Sequence, residues 1–195
     1  MREGDDLFFA PNVRFSSLDL TGERLPDQLR ARVEGYYLKP AGALCVHEQS
    51  QHAFAAGLLL ICALDFLAGL AHTMEELEGR PVEKDFVTFV KARLPSFKIT
   101  NLAKRLFDDF RNGLVHECRI KNAGEFSFDH QAPAQLTGGR LSVNPRALLQ
   151  EVRSALDHEV SDLHRYQDLR AKLARRVRKQ FAAEIGIVER VRRMG

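Results

Sequence analysis

A run of nineteen residues, 53–71, is apolar or small apart from one carboxylate, Asp65. Its length is that of a membrane-spanning helix. However, an acidic residue near the centre of a span costs about 2.5 to 3.5 kcal/mol on insertion scales, and the flanks of this run lack an excess of Lys and Arg. We therefore predict a nearly fully buried core helix from Ser50 to His72, in a protein that is not bound to a membrane. A carboxylate inside such a core needs a partner.

The composition is that of an ordinary globular chain. Of its 195 residues, 45% are hydrophobic and 28% are charged. These values fit one domain and exclude a disordered, collagen-like or disulfide-scaffold chain. The three cysteines, Cys45, Cys62 and Cys118, are odd in number, and the first residues lack the pattern of a signal peptide. We therefore expect free thiols and a cytoplasmic location.

Helical spacing of apolar residues predominates after residue 25 and predicts a mainly α fold. We expect a helical bundle with a small β-hairpin inserted before a long C-terminal helix. The predicted hairpin joins EFSFD (125–129) to RLSV (140–143) through Gly138-Gly139. The predicted helices are a first one from Pro26 to Leu38 that stops before Pro40, one ended by Pro95, one from Asn101 to His116, and a last one that begins at Asn144-Pro145 and continues to about Ile185.

These elements divide the chain into three parts. Residues 1–22 are expected to form an irregular lead-in with one short strand near Val13 to Phe15. Residues 23–185 form the helical domain. Residues 186–195 are a basic C-terminal tail that follows a break at Gly186.

Positive charge is concentrated near the C-terminus. Residues 165–195 hold ten of the 29 Lys and Arg residues but three of the 26 Asp and Glu residues, a net charge of +7, which leaves −4 for the rest of the chain. Such a segment attracts a polyanion such as RNA, although a solvated helix rich in arginine has the same composition. The candidate nucleic-acid-binding residues are Arg170, Lys172, Arg175, Arg176, Arg178 and Lys179.

The helix predicted from Asn101 to His116 has two distinct faces. At 3.6 residues per turn, its apolar stripe consists of Ile99, Leu102, Leu106, Phe110 and Leu114. The opposite face carries a polar row made of Arg105, Asp109, Asn112 and His116. Arg111 lies at the flank, from which its long side chain can extend to His116. Gly113 leaves space beside the row, so that a partner helix or a phosphate can come close.

The segment FRNGLVHE (110–117) resembles the motif of the HEPN superfamily. That motif has an Arg, commonly followed by a polar residue such as Asn, and then a His after four intervening residues, at the end of a helix in a helical bundle. Arg111, Asn112 and His116 stand in those positions, and the resemblance extends over residues 26–180. It implies a HEPN-like helical bundle in which two copies of the motif meet across a homodimer and cleave RNA without a metal.

The residue types of the motif suit that chemistry. A histidine with a pKa near 6.5 can move the proton of a ribose 2′-OH or of a leaving oxygen. An arginine can hold a phosphate through two parallel hydrogen bonds, and Asn112 can orient either group. Asp65 is a supporting residue if it holds Arg111 or orients His116; otherwise its partner lies elsewhere in the core. Arg105 and Asp109 are further supporting candidates. The alternative to a catalytic role is that His116 is a solvated histidine at the surface.

Other kinds of site are weaker candidates. Cys45, His47 and His52 lack a zinc-binding spacing, Cys118 is a poor candidate for a nucleophile, and no phosphate-binding loop motif occurs. We expect no metal and no cofactor. The resemblance leaves two functions open: an endoribonuclease, with a role in defence or as a toxin silenced by an antitoxin, and a non-catalytic RNA-binding, nucleotide-binding or protein-interaction module.

Overall fold

The computed structural model describes residues 2–3, 6–72, 82–99 and 101–194. The fold is mainly α, as predicted. The α-helices within these residues are α1 (Leu25–Val33), α2 (Lys39–Leu44), α3 (Ser50–His72), α4 (Val82–Arg93), α5 (Leu102–Arg105), α6 (Asn112–Glu117), α7 (Pro145–Arg165), α8 (Gln167–Gln180) and α9 (Ala182–Met194). The strands are β1 (Arg2–Glu3), β2 (Asp6–Ala10), β3 (Val13–Arg14), β4 (Glu125–Phe126), β5 (Ala134–Thr137) and β6 (Arg140–Val143).

Helix α3 is the centre of the molecule, and its observed bounds are the predicted ones. It packs against α2, α4 and α7. It is long and apolar enough to cross a membrane, but 61% of its most apolar stretch is buried inside the protein. Gly57 allows the ring of Phe126 to lie against the helix, because a Cβ at that glycine would come within 2.3 Å of the ring. This contact joins α3 to strand β4.

The sequence predicts that the first helix stops before Pro40, but in the structure the helical segment continues through this residue. A π-helical segment, Glu34–Leu38, joins α1 directly to α2. Proline normally ends a helix because its ring clashes with the carbonyl group four residues earlier and it has no N–H to donate. Here Pro40 lies at the start of α2, immediately after the wider π turn, and the chain passes it without leaving the helical path.

The N-terminal lead-in is more ordered than predicted. Strands β1, β2 and β3 form an antiparallel sheet, in which β3 is the short strand expected near Val13. Phe9 is fully buried, and its ring meets those of Phe15 and Phe181 edge-on, in a cluster of three rings whose centroids are 5.5 to 5.8 Å apart. The lead-in is therefore part of the core rather than a covering over it.

The β-hairpin forms, but its first strand was predicted wrongly. β5 pairs with β6 in an antiparallel register through Gly138-Gly139, and both glycines have positive φ. The predicted first strand, EFSFD, instead contributes β4, which lies on the other side of β6 and parallel to it. A parallel neighbour needs a longer connection than a hairpin does, and residues 127–139, which include β5, provide it.

The single long C-terminal helix that we predicted is three helices. Tyr166 has an extended backbone conformation between α7 and α8, and Phe181 separates α8 from α9. Arg170 donates hydrogen bonds to the carbonyl groups of Leu163 and His164 at the end of α7, so α8 begins by satisfying groups that α7 leaves open. The predicted break at Gly186 is also wrong, because α9 runs through this residue and includes most of the predicted tail.

Candidate functional site

The motif residues lie on one continuous helical rod, residues 102–117. It consists of α5, a π-helical segment, Leu106–Arg111, and α6. In a π-helix the backbone hydrogen bonds run from i to i+5, and such segments are frequent at functional sites. The π segment ends at Arg111, the first motif residue. Its inserted turn changes the angular positions of the residues that follow it, which is why the helical wheel of a regular α-helix describes this rod only in part.

Arg111 is held on one side by Asp65 of α3. Its Nε donates to Oδ1 of Asp65 at 3.2 Å, and its Nη2 donates to Oδ2 at 3.3 Å. The side chains of Arg111 and Asp65 are 14% and 28% exposed, respectively. The guanidinium also lies 5.6 Å from the ring centroid of Phe107, which is buried. The carboxylate of the core helix is half-buried rather than buried, and the motif arginine is a partner of it.

The remaining nitrogen of the guanidinium, Nη1, faces the other two motif residues. It donates to Oδ1 of Asn112 at 3.2 Å and lies 3.4 Å from Nε2 of His116. A guanidinium can only donate, so this contact is a hydrogen bond when Nε2 of His116 carries the lone pair and Nδ1 carries the proton. His116 is exposed and Asn112 is half-buried. The structure thus brings Arg111, Asn112 and His116 together at the surface, with Asp65 behind them.

The other half of the predicted polar row is covered by the chain itself. Asp109 is only 1% exposed. It receives hydrogen bonds from Arg105 at 2.9 Å and from Asn122 at 2.6 Å, and Arg105 also donates to the carbonyl oxygen of Gly139 at the hairpin tip. The prediction that the whole row faces away from the core is therefore wrong. Arg105 and Asp109 fix the loop and the hairpin beside the site and do not line it.

Gly113 has a different role from the predicted one. The space beside it is filled by the protein's own backbone, because a Cβ at this position would lie 2.3 Å from the carbonyl oxygen of Arg119. The N–H of Arg119 donates to the carbonyl of Gly113, and Cys118 ends the helix in the left-handed conformation with φ of 53°. Gly113 is therefore needed for the turn that follows His116, and it does not open a place for a phosphate.

The sequence did not point to Phe107 or Asn122 as parts of the site. Phe107 lies four residues before Arg111, a spacing at which side chains on a helix meet. Asn122 has a φ of 50°, a conformation in which Asn is enriched among non-glycine residues. The Asn-Ala-Gly sequence at 122–124 was the available signal for a turn at that point.

The Cys62 thiol near the site is not activated. Burial, with the neighbouring Asp65 carboxylate adding to its effect, raises the pKa of the Cys62 thiol above its ordinary value. No hydrogen bond joins Cys118 to His116 among the described residues. Within the same residues, no group of three or more His, Cys, Asp and Glu side chains is placed to hold a metal ion.

The structure separates the six candidate RNA-binding residues of the C-terminal segment into two sets. Arg176 is 6% exposed and donates to the carbonyl of Gly69, so the prediction that it binds nucleic acid is wrong. Arg170 is half-buried at the end of α7, and Arg178 donates to the carbonyl of Leu20. The exposed or half-buried remainder consists of Lys172, Arg175 and Lys179. Arginines that hold helices together account for part of the positive charge there.

Comparison with family models, with curated proteins and with solved structures finds no match to this chain. The contacts of Arg111 are therefore the basis for a functional conclusion.

Proposed function

We propose that this protein is a HEPN-like, metal-independent endoribonuclease that is active as a homodimer in the cytoplasm. The proposal rests on one observation: different nitrogens of the Arg111 guanidinium contact different groups. Asp65 holds Nε and Nη2 of Arg111, while Nη1 lies beside Asn112 and His116 at an open surface. A positively charged group that is fixed from behind and faces a histidine suits catalysis at a phosphodiester.

The residues supply the parts of an in-line attack by the ribose 2′-OH. Nε2 of His116 can accept the proton of the 2′-OH, as the 2′ oxygen forms a bond to phosphorus, once the bound phosphate has replaced His116 beside Nη1 of Arg111. The bond from phosphorus to the 5′ oxygen then breaks, which leaves a 2′,3′-cyclic phosphate, and the 5′ oxygen takes a proton from a general acid. Arg111 stabilises the charge on the phosphoryl oxygens. One chain provides one motif histidine, so the proposal assigns the second proton-transfer group to the partner copy.

The test is an RNA-cleavage assay in the presence of EDTA, analysed for cyclic-phosphate ends. His116→Ala is expected to abolish cleavage without loss of stability, because an exposed residue contributes little to folding. His158→Ala is the matched control, since His158 is also exposed and contacts only a carbonyl of its own helix, that of Ser154. Cleavage that survives in His116→Ala, or that disappears equally in the control, rejects catalysis at this motif.

A second function is favoured by the contact with Asp65. The carboxylate occupies two of the three guanidinium nitrogens of Arg111, and it competes with a phosphate for the same donors. A site of this kind suits a non-catalytic module that binds RNA, nucleotides or a protein such as an antitoxin. The two proposals differ in one observable result: such a module binds its RNA or partner and produces no cyclic-phosphate ends.

A contribution of the C-terminal segment to RNA binding is measurable through salt dependence. Replacing Lys172 and Lys179 with Gln is expected to lower the log–log slope of single-stranded RNA binding by about 0.7 for each lysine that neutralises a phosphate. The matched control is the pair Lys91 and Lys98, which are exposed lysines of another region. Equal slopes for the two double variants would mean that the segment does not bind RNA.

A further inference from the structure

A positively charged groove lies between α2 and α7. Its volume is about 470 Å³, within the range of small-molecule sites, roughly 300 to 1,000 Å³. The residues that line it are Lys39, Gly42, Cys45, Val46, Arg146, Leu149, Gln150 and Arg153. None of these residues belongs to the motif site.

The side chains of two of the three cations in this groove, Lys39 and Arg153, make no hydrogen bond and no ion pair among the residues that the structure describes. Lys39 is exposed, but Arg153 is half-buried, and a partly buried arginine normally has a carboxylate or carbonyl partner. Arg153 therefore presents an unused set of donors to the groove.

The third cation, Arg146, is held in position at one edge of the groove. Its Nη2 and Nε donate to the carbonyl of Cys45 at 2.7 and 3.2 Å, and its guanidinium lies 5.1 Å from the ring centroid of Phe128. Glu48 forms an ion pair with it at 3.2 Å. Three positive charges and this one carboxylate leave a local charge of about +2, which matches the charge of about −1.5 to −2 on a phosphate monoester at pH 7.

The groove also has an apolar part. Leu149 is buried beneath it, and Val46 is 74% exposed at its rim. Gly42 has no side chain to fill the groove. A Cβ at this position would lie 3.5 Å from both Nη2 of Arg153 and Cδ2 of Leu149. The donors of Arg153 thus lie next to apolar surface.

We infer that this groove binds a small phosphate monoester that carries an apolar or aromatic body. The phosphate binds between Lys39 and Arg153, with the charge of Arg146 assisting, and the body lies against Val46 and Leu149. This site is independent of the motif around Arg111, and the inference does not depend on the proposed ribonuclease activity.

Calorimetric titration with three related probes tests the inference. Adenosine 5′-monophosphate has both parts, inorganic phosphate has the charge alone, and adenosine has the body alone. We expect the monophosphate to bind at least about tenfold more tightly than either of the others. Adenosine lacks the charge-assisted hydrogen bonds, one of which changes binding by about a factor of ten or more, and inorganic phosphate lacks the apolar surface that the body buries. Equal binding of phosphate and the monophosphate would leave only a site for a simple anion and would overturn the assignment of an apolar body.

Single substitutions show where on the protein the monophosphate binds. Lys39→Gln and Arg153→Gln should each weaken monophosphate binding by about tenfold, whereas His116→Ala should leave it unchanged. Gly42→Leu should block the groove with every charge retained, and Gly42→Ala, whose Cβ makes only ordinary contacts, should still bind. If Gly42→Leu does not fold, Lys39→Gln and Arg153→Gln test whether the monophosphate binds in this groove. Binding that is abolished in His116→Ala and kept in Arg153→Gln would place the ligand at the motif and overturn the inference.

Discussion

The contact between Asp65 and Arg111 can be tested by its effect on stability, whether or not the protein cleaves RNA. The perturbation is a double-mutant cycle with Asp65→Asn, Arg111→Ala and the double variant. Asp65→Asn keeps the shape of the side chain and removes its charge. Arg111→Ala removes the guanidinium and its two hydrogen bonds to the Asp65 carboxylate.

The expected size of the effect follows from the burial and the distances. Breaking a fully buried ion pair costs about 3 to 5 kcal/mol, and an exposed pair contributes about 0 to 1 kcal/mol. This pair lies between those limits, because its side chains are 14% and 28% exposed and its hydrogen bonds, at 3.2 and 3.3 Å, are longer than charge-assisted bonds usually are. We expect Arg111→Ala to cost about 2 kcal/mol, including about 0.5 to 1 kcal/mol for removal of the cation–π interaction with Phe107.

Urea denaturation of the four proteins measures the interaction. With a slope of about 2 kcal/mol per molar urea, Arg111→Ala should lower the midpoint by about 1 M, and the double variant should be about 1 kcal/mol more stable than additive effects would give. The exposed ion pair of Arg30 and Asp157 is the matched control, for which the coupling should stay below about 0.5 kcal/mol. A coupling between Asp65 and Arg111 no larger than that of the control would refute the contact on which the candidate site depends.

Three further predictions concern the framework around the site. Gly57→Ala should lower the urea midpoint by an amount equivalent to about 1 to 3 kcal/mol, although alanine usually favours a helix, because its Cβ would clash with the Phe126 ring; adding Phe126→Leu should recover part of the loss. Asn144→Ala should destabilise by about 1 kcal/mol in thermal unfolding, since its side chain caps the first N–H groups of α7. Hydrogen bonds to the Asp19 carboxylate, first among them the one from the Arg24 backbone N–H, hold its pKa well below the ordinary value. Their stabilisation is present above the unfolded-state pKa of about 4 and is lost as the pH falls toward the folded-state value, so Asp19→Asn should destabilise at pH 7 and should differ less from the wild type in denaturation at pH 3.

Structural features that depend on residues adjacent in the chain could be predicted from the sequence. The limits of α3 follow from an apolar run in which Asp65 is the one charged residue, and the start of α7 follows from Asn144-Pro145, where the Asn144 side chain accepts hydrogen bonds from the backbone of Arg146 and Ala147. The turn at Gly138-Gly139 is also local, because it needs two residues that tolerate positive φ. Each of these signals lies within a few residues of the element that it determines.

The partners of distant segments could not be predicted in the same way. The EFSFD segment and the Ala134–Thr137 segment both have a strand-like pattern, and the turn next to Gly138 selects the nearer one for the antiparallel position. Nothing local marks Tyr166 as the end of a helix. Tyr166 has an extended backbone there, and α7 and α8 both pack against α1, with Leu163 and Leu173 buried.

The candidate site shows the same division. From the sequence we could infer that Arg111, Asn112 and His116 share one helix end and that a carboxylate in the core helix requires a partner, because helix periodicity and the cost of burying a charge are local properties. The packed fold was needed to show that Arg111 is a partner of that carboxylate, that Asp109 lies beneath the loop at Asn122, and that Arg176 is inside the protein. These contacts depend on how helices far apart in the chain pack, and that packing follows from the total burial of the whole molecule rather than from any one segment.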